Sequence, residues 1–249
     1  MIILRTADEI ERMRAAGKLV AQVLAELDRR IKPGLTTREL DRVAERMIRE
    51  AGAVPAFKGY RGYPATVCVS INEQVVHGIP GPRRLKPGDL VSLDVGAYLR
   101  GYCGDATITV HVGEGSDSAT ARLLEAGRGA LAAGVDKVRA GGRLSDIGEA
   151  IQRFTEARGF SVVRDYCGHA IGQAMHEDLQ VPNYGPAGHG PILKAGLVLA
   201  VEPMVNEGTY EVETLEDGWT VVTRDRKRSV HFEHTVAVTD SGPDILTLA

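Results

Sequence analysis

One phrase occurs twice in this chain, and each copy leads to an acid. Leu85-Lys86-Pro87-Gly88 runs into an apolar strand pattern carrying Asp94, and Leu193-Lys194-Ala195-Gly196 runs into another carrying Glu202. The copies lie 108 residues apart, and the acid is the ninth residue after the leucine in both. A second echo pairs Asp105-Ala106-Thr107-Ile108-Thr109-Val110 with Glu233-His234-Thr235-Val236-Ala237-Val238, 128 residues on. Two half-repeats, about 6–113 and 119–240, would bring four acids together near a pseudo-twofold axis. Unpaired buried charges cost many kcal/mol, so four such carboxylates require cations. The repeat points to a metal site built between two similar halves.

Each half opens on helical pattern. Thr6 and Glu9 form a capping box, and Ile10, Met13, Gly17, Val20, Leu24, Leu27 and Ile31 then recur at helical spacing until Pro33-Gly34. Thr36 to Glu39 opens a second helix with Leu40, Val43 and Met47 inward and Gly52 past its end. In the second half a helix from about Ser118 carries Leu123, Leu124, Leu131 and Val135 and is expected to stop at Gly141-Gly142. Another runs from Ser145 to Gly159 with Ile147, Ile151 and Phe154 inward. Ala16-Gly17-Lys18 and Ala126-Gly127-Arg128 add a third, weaker echo. Strand-rich sequence follows each helix pair. The expected class is α+β, with helices backing a mostly antiparallel sheet and the halves sharing one core in a single domain spanning 1–249.

Strand alternation fixes where the acids point. In Val91-Ser92-Leu93-Asp94-Val95 the apolar residues share one face and leave Asp94 on the other. Glu202 opposes Leu199 and Val201 in the same way, and Thr107 and Thr235 fall on the faces of Asp105 and Glu233. Glycine beside His77 and His169 permits close approach of a ligand. His169 and His176 lie seven apart, so a bend at Gly172 is needed to bring them to one side. His111, His189, His231 and His234 read as packed or surface residues. Four carboxylates with one imidazole make a hard, oxygen-rich ligand set, which favours Mn, Fe or Co over a thiolate zinc site. Four negative charges would balance two divalent ions, and hydrolysis is the matching reaction class.

Competing chemistries lack their motifs. There is no G-x-x-x-x-G-K-[ST] loop, no G-x-S-x-G elbow and no H-E-x-x-H pair. A net charge of −3 gives no nucleic-acid footprint, and Arg224-Asp225-Arg226-Lys227-Arg228 reads as a solvated loop. Cys68, Cys103 and Cys167 form no CxxC pair and leave one cysteine unmatched, which suits a reducing cytosol. The apolar start Ile2-Ile3-Leu4 is too short for a signal peptide, and no run approaches the ~20 apolar residues of a membrane span. A cytoplasmic protein is expected.

Taken together, His77-Gly78-Ile79-Pro80, Asp94 with Asp105, Cys167-Gly168-His169, His176-Glu177, Glu202-Pro203-Met204 and Phe232-Glu233-His234 resemble the short, bacterial type I methionine aminopeptidase family. The resemblance runs from about Thr6 to the C-terminus. It implies the pita-bread fold, two pseudo-symmetric halves around a dinuclear site of Mn, Fe, Co or Zn. It implies that Asp94 chelates one ion, His169 and Glu202 the other, and that Asp105 and Glu233 bridge both. Attack would come from a water shared by the ions, with Glu202 moving the proton. His176 would contact the carbonyl oxygen and His77 the scissile amide nitrogen. The methionine pocket would draw on Tyr60, Tyr63, Cys68, Met175 and Trp219. Two departures stand out: Met175 replaces the phenylalanine usual in bacterial members, and Phe57 stands where some relatives have cysteine. The implied substrate is a nascent protein whose second residue is small, met at the ribosome by a monomeric enzyme. A prolidase-like X-Pro peptidase and a non-catalytic pita-bread binding protein are the alternatives.

Overall fold

A computed structural model describes residues 2–249. The repeated phrase has a simple conformational cause. Leu85 and Leu193 are anchors, 2% and 1% exposed, one in each of two large apolar cores. Gly88 and Gly196 both adopt left-handed backbone, φ 90° and 92°, which only glycine takes without cost. Each then donates its N–H across to the strand that will carry the second acid's neighbours, Gly88 to Val112 O at 2.9 Å and Gly196 to Val238 O at 3.0 Å. The phrase is a turn that aims the following strand.

The helices are α1 (Ala7–Arg30), α2 (Thr37–Glu50), α3 (Ser118–Val135) and α4 (Leu144–Glu156). The capping boxes of Thr6/Glu9 and Thr36/Glu39 are both formed, each side-chain cap being worth about 1 kcal/mol. α3 ends at Val135, short of the expected Gly141-Gly142, because Lys137 and Val138 close three-residue turns onto Gly134 and Val135. In α2 it is Ile48 that is fully buried, while Met47 packs half-buried at the rim.

The main strands are β1 (Val67–Ile71), β2 (Leu90–Leu99), β3 (Tyr102–His111), β4 (Gly168–Ala170), β5 (Glu177–Val181), β6 (Val198–Val201), β7 (His234–Thr239) and β8 (Gly242–Ile245). They make two antiparallel sheets rather than one. In the first, β2 lies between β3 on one edge and β1 with the short strand Val54–Pro55 on the other. The second runs β8-β7-β6-β4-β5. Among the described residues a single β-bridge, Thr107 with Glu233, joins them. Two three-stranded sheets flank the centre, and one of them pairs Met204–Asn206 with Ser229–His231.

Each sheet turns its apolar face to a helix pair. Val20, Leu24, Leu27, Leu40 and Ile48 pack with Val91, Leu93 and Val95 in one core. Leu123, Leu131, Ile147 and Ile151 pack with Leu199, Val201, Val236 and Val238 in the other. Each fully buried Leu or Ile contributes about 1.5–3 kcal/mol. The polar strand faces are thereby left to meet one another, which is what places the acids. Among the described residues no helix is long and apolar enough to cross a membrane.

Candidate metal centre and adjoining pocket

The four acids converge through paired strands. Register sets Cys68 opposite Asp94, Asp94 opposite Thr107 and Asp105 opposite Gly96. Across the bridge, the Thr107 hydroxyl donates to Glu233 Oε2 at 2.8 Å, and the Glu233 N–H donates to Thr107 O at 3.0 Å. Thr235 returns the gesture: its hydroxyl donates to Asp105 O at 2.8 Å and accepts from the Asp105 N–H at 3.0 Å. The two threonines of the second echo therefore stitch the halves together beside the acids. Glu202 follows the end of β6, its carbonyl held by Asn183 Nδ2 at 3.1 Å.

His169, on β4, completes the cluster. Its Nδ1 lies 3.1 Å from Ala170 O. A carbonyl only accepts, so Nδ1 carries the proton and the Nε2 lone pair is free for a ligand. That Nε2 is 3.6 Å from Glu202 Oε1. Ligating atoms of Asp105, His169 and Glu233 all lie within 4.8 Å of one another.

Electrostatically the cluster calls for a cation. Burial pushes Asp94 up to about 6. Burial and then the neighbouring carboxylates hold Asp105, Glu202 and Glu233 well above the usual range. Oδ1 of Asp94 and Oδ1 of Asp105 are buried without any hydrogen-bond donor. Burial, and next the charge of His176, lowers His169 to about 3, which keeps its ligating form. Oxygens without donors, set beside a neutral imidazole, fit hard or borderline divalent ions.

An apolar pocket adjoins these ligands. All the residues expected to bind metal or substrate line one cavity of about 170 Å³, together with Phe57 and Arg61. The bend required between His169 and His176 is present: the two rings lie 4.1 Å apart. At that bend a Cβ on Gly172 would strike the Arg5 guanidinium, which is itself paired with Glu177. The His176 ring stacks on Tyr60 at 5.3 Å, with Nδ1 3.0 Å from the Tyr60 hydroxyl. Burial, then the Arg61 charge, lowers the His176 pKa. When the Tyr60 hydroxyl donates to Nδ1, the ring proton is on Nε2; the opposite direction would place it on Nδ1. His77 sits in left-handed backbone, φ 60°, with its ring edge-on to Trp219 and Tyr166 at 6.3 and 5.7 Å. Burial lowers it to about 4. Tyr63 offers only its ring, since its hydroxyl donates to Gly78 O at 2.9 Å. Cys68 is pushed up by burial, then by Asp94, so its thiol stays protonated. Met175 is buried, and its N–H donates to the Tyr98 hydroxyl at 2.8 Å.

Two neighbours escaped the sequence reading. Arg61 carries no motif. His231 looked like an ordinary packed residue, yet its Nε2 lies 3.6 Å from Glu202 Oε2. Nothing local signals this, because the contact depends on the pairing of Met204 with His231.

Comparison with known proteins agrees with this geometry. The model of metallopeptidase family M24 matches residues 11–240. The chain is 53% identical over 247 residues to "Methionine aminopeptidase 1" of Bacillus subtilis (strain 168), covering 99% of each chain. It superposes on the crystal structure of methionine aminopeptidase from Rickettsia prowazekii with a TM-score of 0.98 at 42% identity, covering 100% of both chains. A prolidase from Pyrococcus furiosus gives a TM-score of 0.80 at 23% identity, with 99% of this chain matched to 66% of that one, a likeness of fold alone.

Proposed function

Because the chain belongs to metallopeptidase family M24, we propose that it is a methionine aminopeptidase, removing initiator methionine from nascent polypeptides whose second residue is small. The observation that carries this reading is the shared cavity. An apolar pocket of Tyr60, Tyr63, Cys68, Met175, Trp219 and Phe57 opens directly onto the acids and His169. It suits one unbranched apolar side chain next to a hydrolytic centre.

Asp94, Asp105, His169, Glu202 and Glu233 would hold two divalent ions, Mn, Fe, Co or Zn. Such ions supply Lewis acidity and lower the pKa of water. The protein's own groups do the rest. Glu202 takes the proton of the attacking water and delivers it to the leaving amide nitrogen. His176, oriented by Tyr60, donates from Nε2 to the carbonyl oxygen as it gains charge. His77 contacts the amide nitrogen of the scissile bond. The half-repeats, about 6–113 and 119–240, act as one catalytic domain. The enzyme works as a cytoplasmic monomer that meets its substrates at the ribosome.

The test is hydrolysis of Met-Ala-Ser by chelated protein after separate return of Mn, Fe, Co and Zn, with an Ala-Pro peptide alongside. Metal-dependent release of methionine is expected. Cleavage of Ala-Pro with Met-Ala-Ser left intact would sink this reading in favour of a prolidase.

A further inference from the structure

The geometry points to His231 as the positioning residue of Glu202, facing the carboxylate oxygen Oε2 on the side away from His169. This inference rests on the peptidase reading above. Glu202 sits between two imidazoles, one for each oxygen: His169 Nε2 is 3.6 Å from Oε1, and His231 Nε2 is 3.6 Å from Oε2. The two rings stand in different positions. His169 lines the cavity beside the other ligands, whereas His231 is 2% exposed and does not line it. His231 therefore stands behind the cavity wall, with Glu202 Oε2 facing its Nε2 and the Asp94 carboxylate near enough to act on its charge.

Its backbone is built into place. The His231 main-chain N–H donates to Thr109 Oγ1 at 2.9 Å, and the Thr109 hydroxyl donates back to the His231 main-chain O at 2.8 Å. Ser92 Oγ, 2.8 Å from Thr109 Oγ1, ties the same threonine to the strand of Asp94. Pairing with Met204 holds the other edge of the strand. Yet Nε2 itself is buried without a hydrogen-bond partner, and such buried groups in native proteins nearly always have one. The separation of 3.6 Å is too long for a hydrogen bond. A slight rotation of the flexible Glu202 side chain closes it, and catalytic hydrogen bonds commonly tighten only in the working complex. A donor on Oε2 fixes the carboxylate plane, so that Oε1, on the cavity side beside His169, is held in one orientation. Outer partners of ligating groups are worth about 10–100-fold in metal affinity or activity.

Three variants and two readouts test this. His231→Leu removes the donor, while His231→Gln places an amide N–H near the position of Nε2. For His231→Leu we expect kcat on Met-Ala-Ser to fall about tenfold or more with KM nearly unchanged, and calorimetric manganese affinity to weaken about tenfold. His231→Gln should restore most of both. In a Glu202→Gln background, His231→Leu should lower kcat no further. Thermal melts establish that the variants fold; should the leucine variant fail to, His231→Asn, whose amide falls short of Oε2, takes its place. Parental kcat and manganese affinity in the leucine variant would overturn the inference. So would equal losses in the leucine and glutamine variants, which mark packing, or a loss confined to KM. If the parent leaves Met-Ala-Ser intact, the peptidase reading fails on its own, and equal manganese affinities of parent and leucine variant would then overturn the role of His231.

Discussion

In the proposed mechanism Glu202 both ligates and carries a proton, two tasks that pull its carboxylate towards ionisation while burial resists it. Glu202→Gln keeps the shape and removes both charge and basicity. It is expected to preserve the circular dichroism spectrum and to lower kcat by about 10²–10⁴-fold; a near-normal kcat would take Glu202 out of proton transfer. In the proposed mechanism His176 has a narrower duty towards the carbonyl oxygen, and Tyr60 orients its ring by stacking and by the contact to Nδ1. His176→Ala should cost about 10²–10³ in kcat while leaving bound metal, measured by elemental analysis, unchanged. Glu202 was legible because it sits in a repeated phrase, whereas His176 was reached through the family resemblance of His176-Glu177. His231 has no such phrase. Its significance comes from a strand pair formed across 27 residues and from a threonine 122 positions away, which no window of sequence contains.

At the level of elements, the Ala-Gly echo acquires a physical reason. α1 and α3 rest directly on the strands that precede the two acids at the seam. A Cβ on Gly104 would come within 2.7 Å of the Gly17 amide nitrogen, and one on Gly127 within 2.7 Å of the Phe232 ring. Gly104 precedes Asp105 and Phe232 precedes Glu233, so each helix sets the depth of one acid by close packing. Helix propensity alone favours Gly17→Ala by about 1 kcal/mol. The added Cβ would instead run into the Leu246 carbonyl, and forcing atoms into a packed interface costs about 1–3 kcal/mol. A net fall in Tm, read by circular dichroism, is expected; a rise would refute the packing argument. The capping boxes that open α1 and α2 were legible because they are local. The end of α3 was not, since Asp136 to Arg139 carry no helix-breaking residue and the chain turns on backbone hydrogen bonds alone.

Across the whole molecule, two halves meet at their polar faces with mutually repelling acids between them, and are tied together around that seam by the Arg5–Glu177 and Arg14–Asp244 ion pairs and a shared apolar cluster. The sequence repeat foretold the convergence of acids, but not that the sheet would divide in two at that line. In the metal-free protein Asp94 titrates near 6, against about 3.9 for an unfolded Asp. Its folded pKa is raised, so stability is present at low pH and is lost as pH climbs through that window, fully above 6. Ions that bind the ionised form offset this loss. The gain in Tm from saturating manganese should therefore be larger at pH 7.5 than at pH 5. At a hundredfold excess over Kd it amounts to about 2.7 kcal/mol, or about 5–10 °C for a domain of this size. A gain independent of pH would argue against carboxylate ligation.

The reciprocal threonine stitches also provide a gauge. The amide protons of Glu233 and Asp105 both point across the seam, one to a backbone carbonyl and one to a hydroxyl of the opposite half. Neither can exchange with solvent deuterium while the halves stay joined. Their exchange rates report the parting of the halves directly, residue by residue, without reference to turnover.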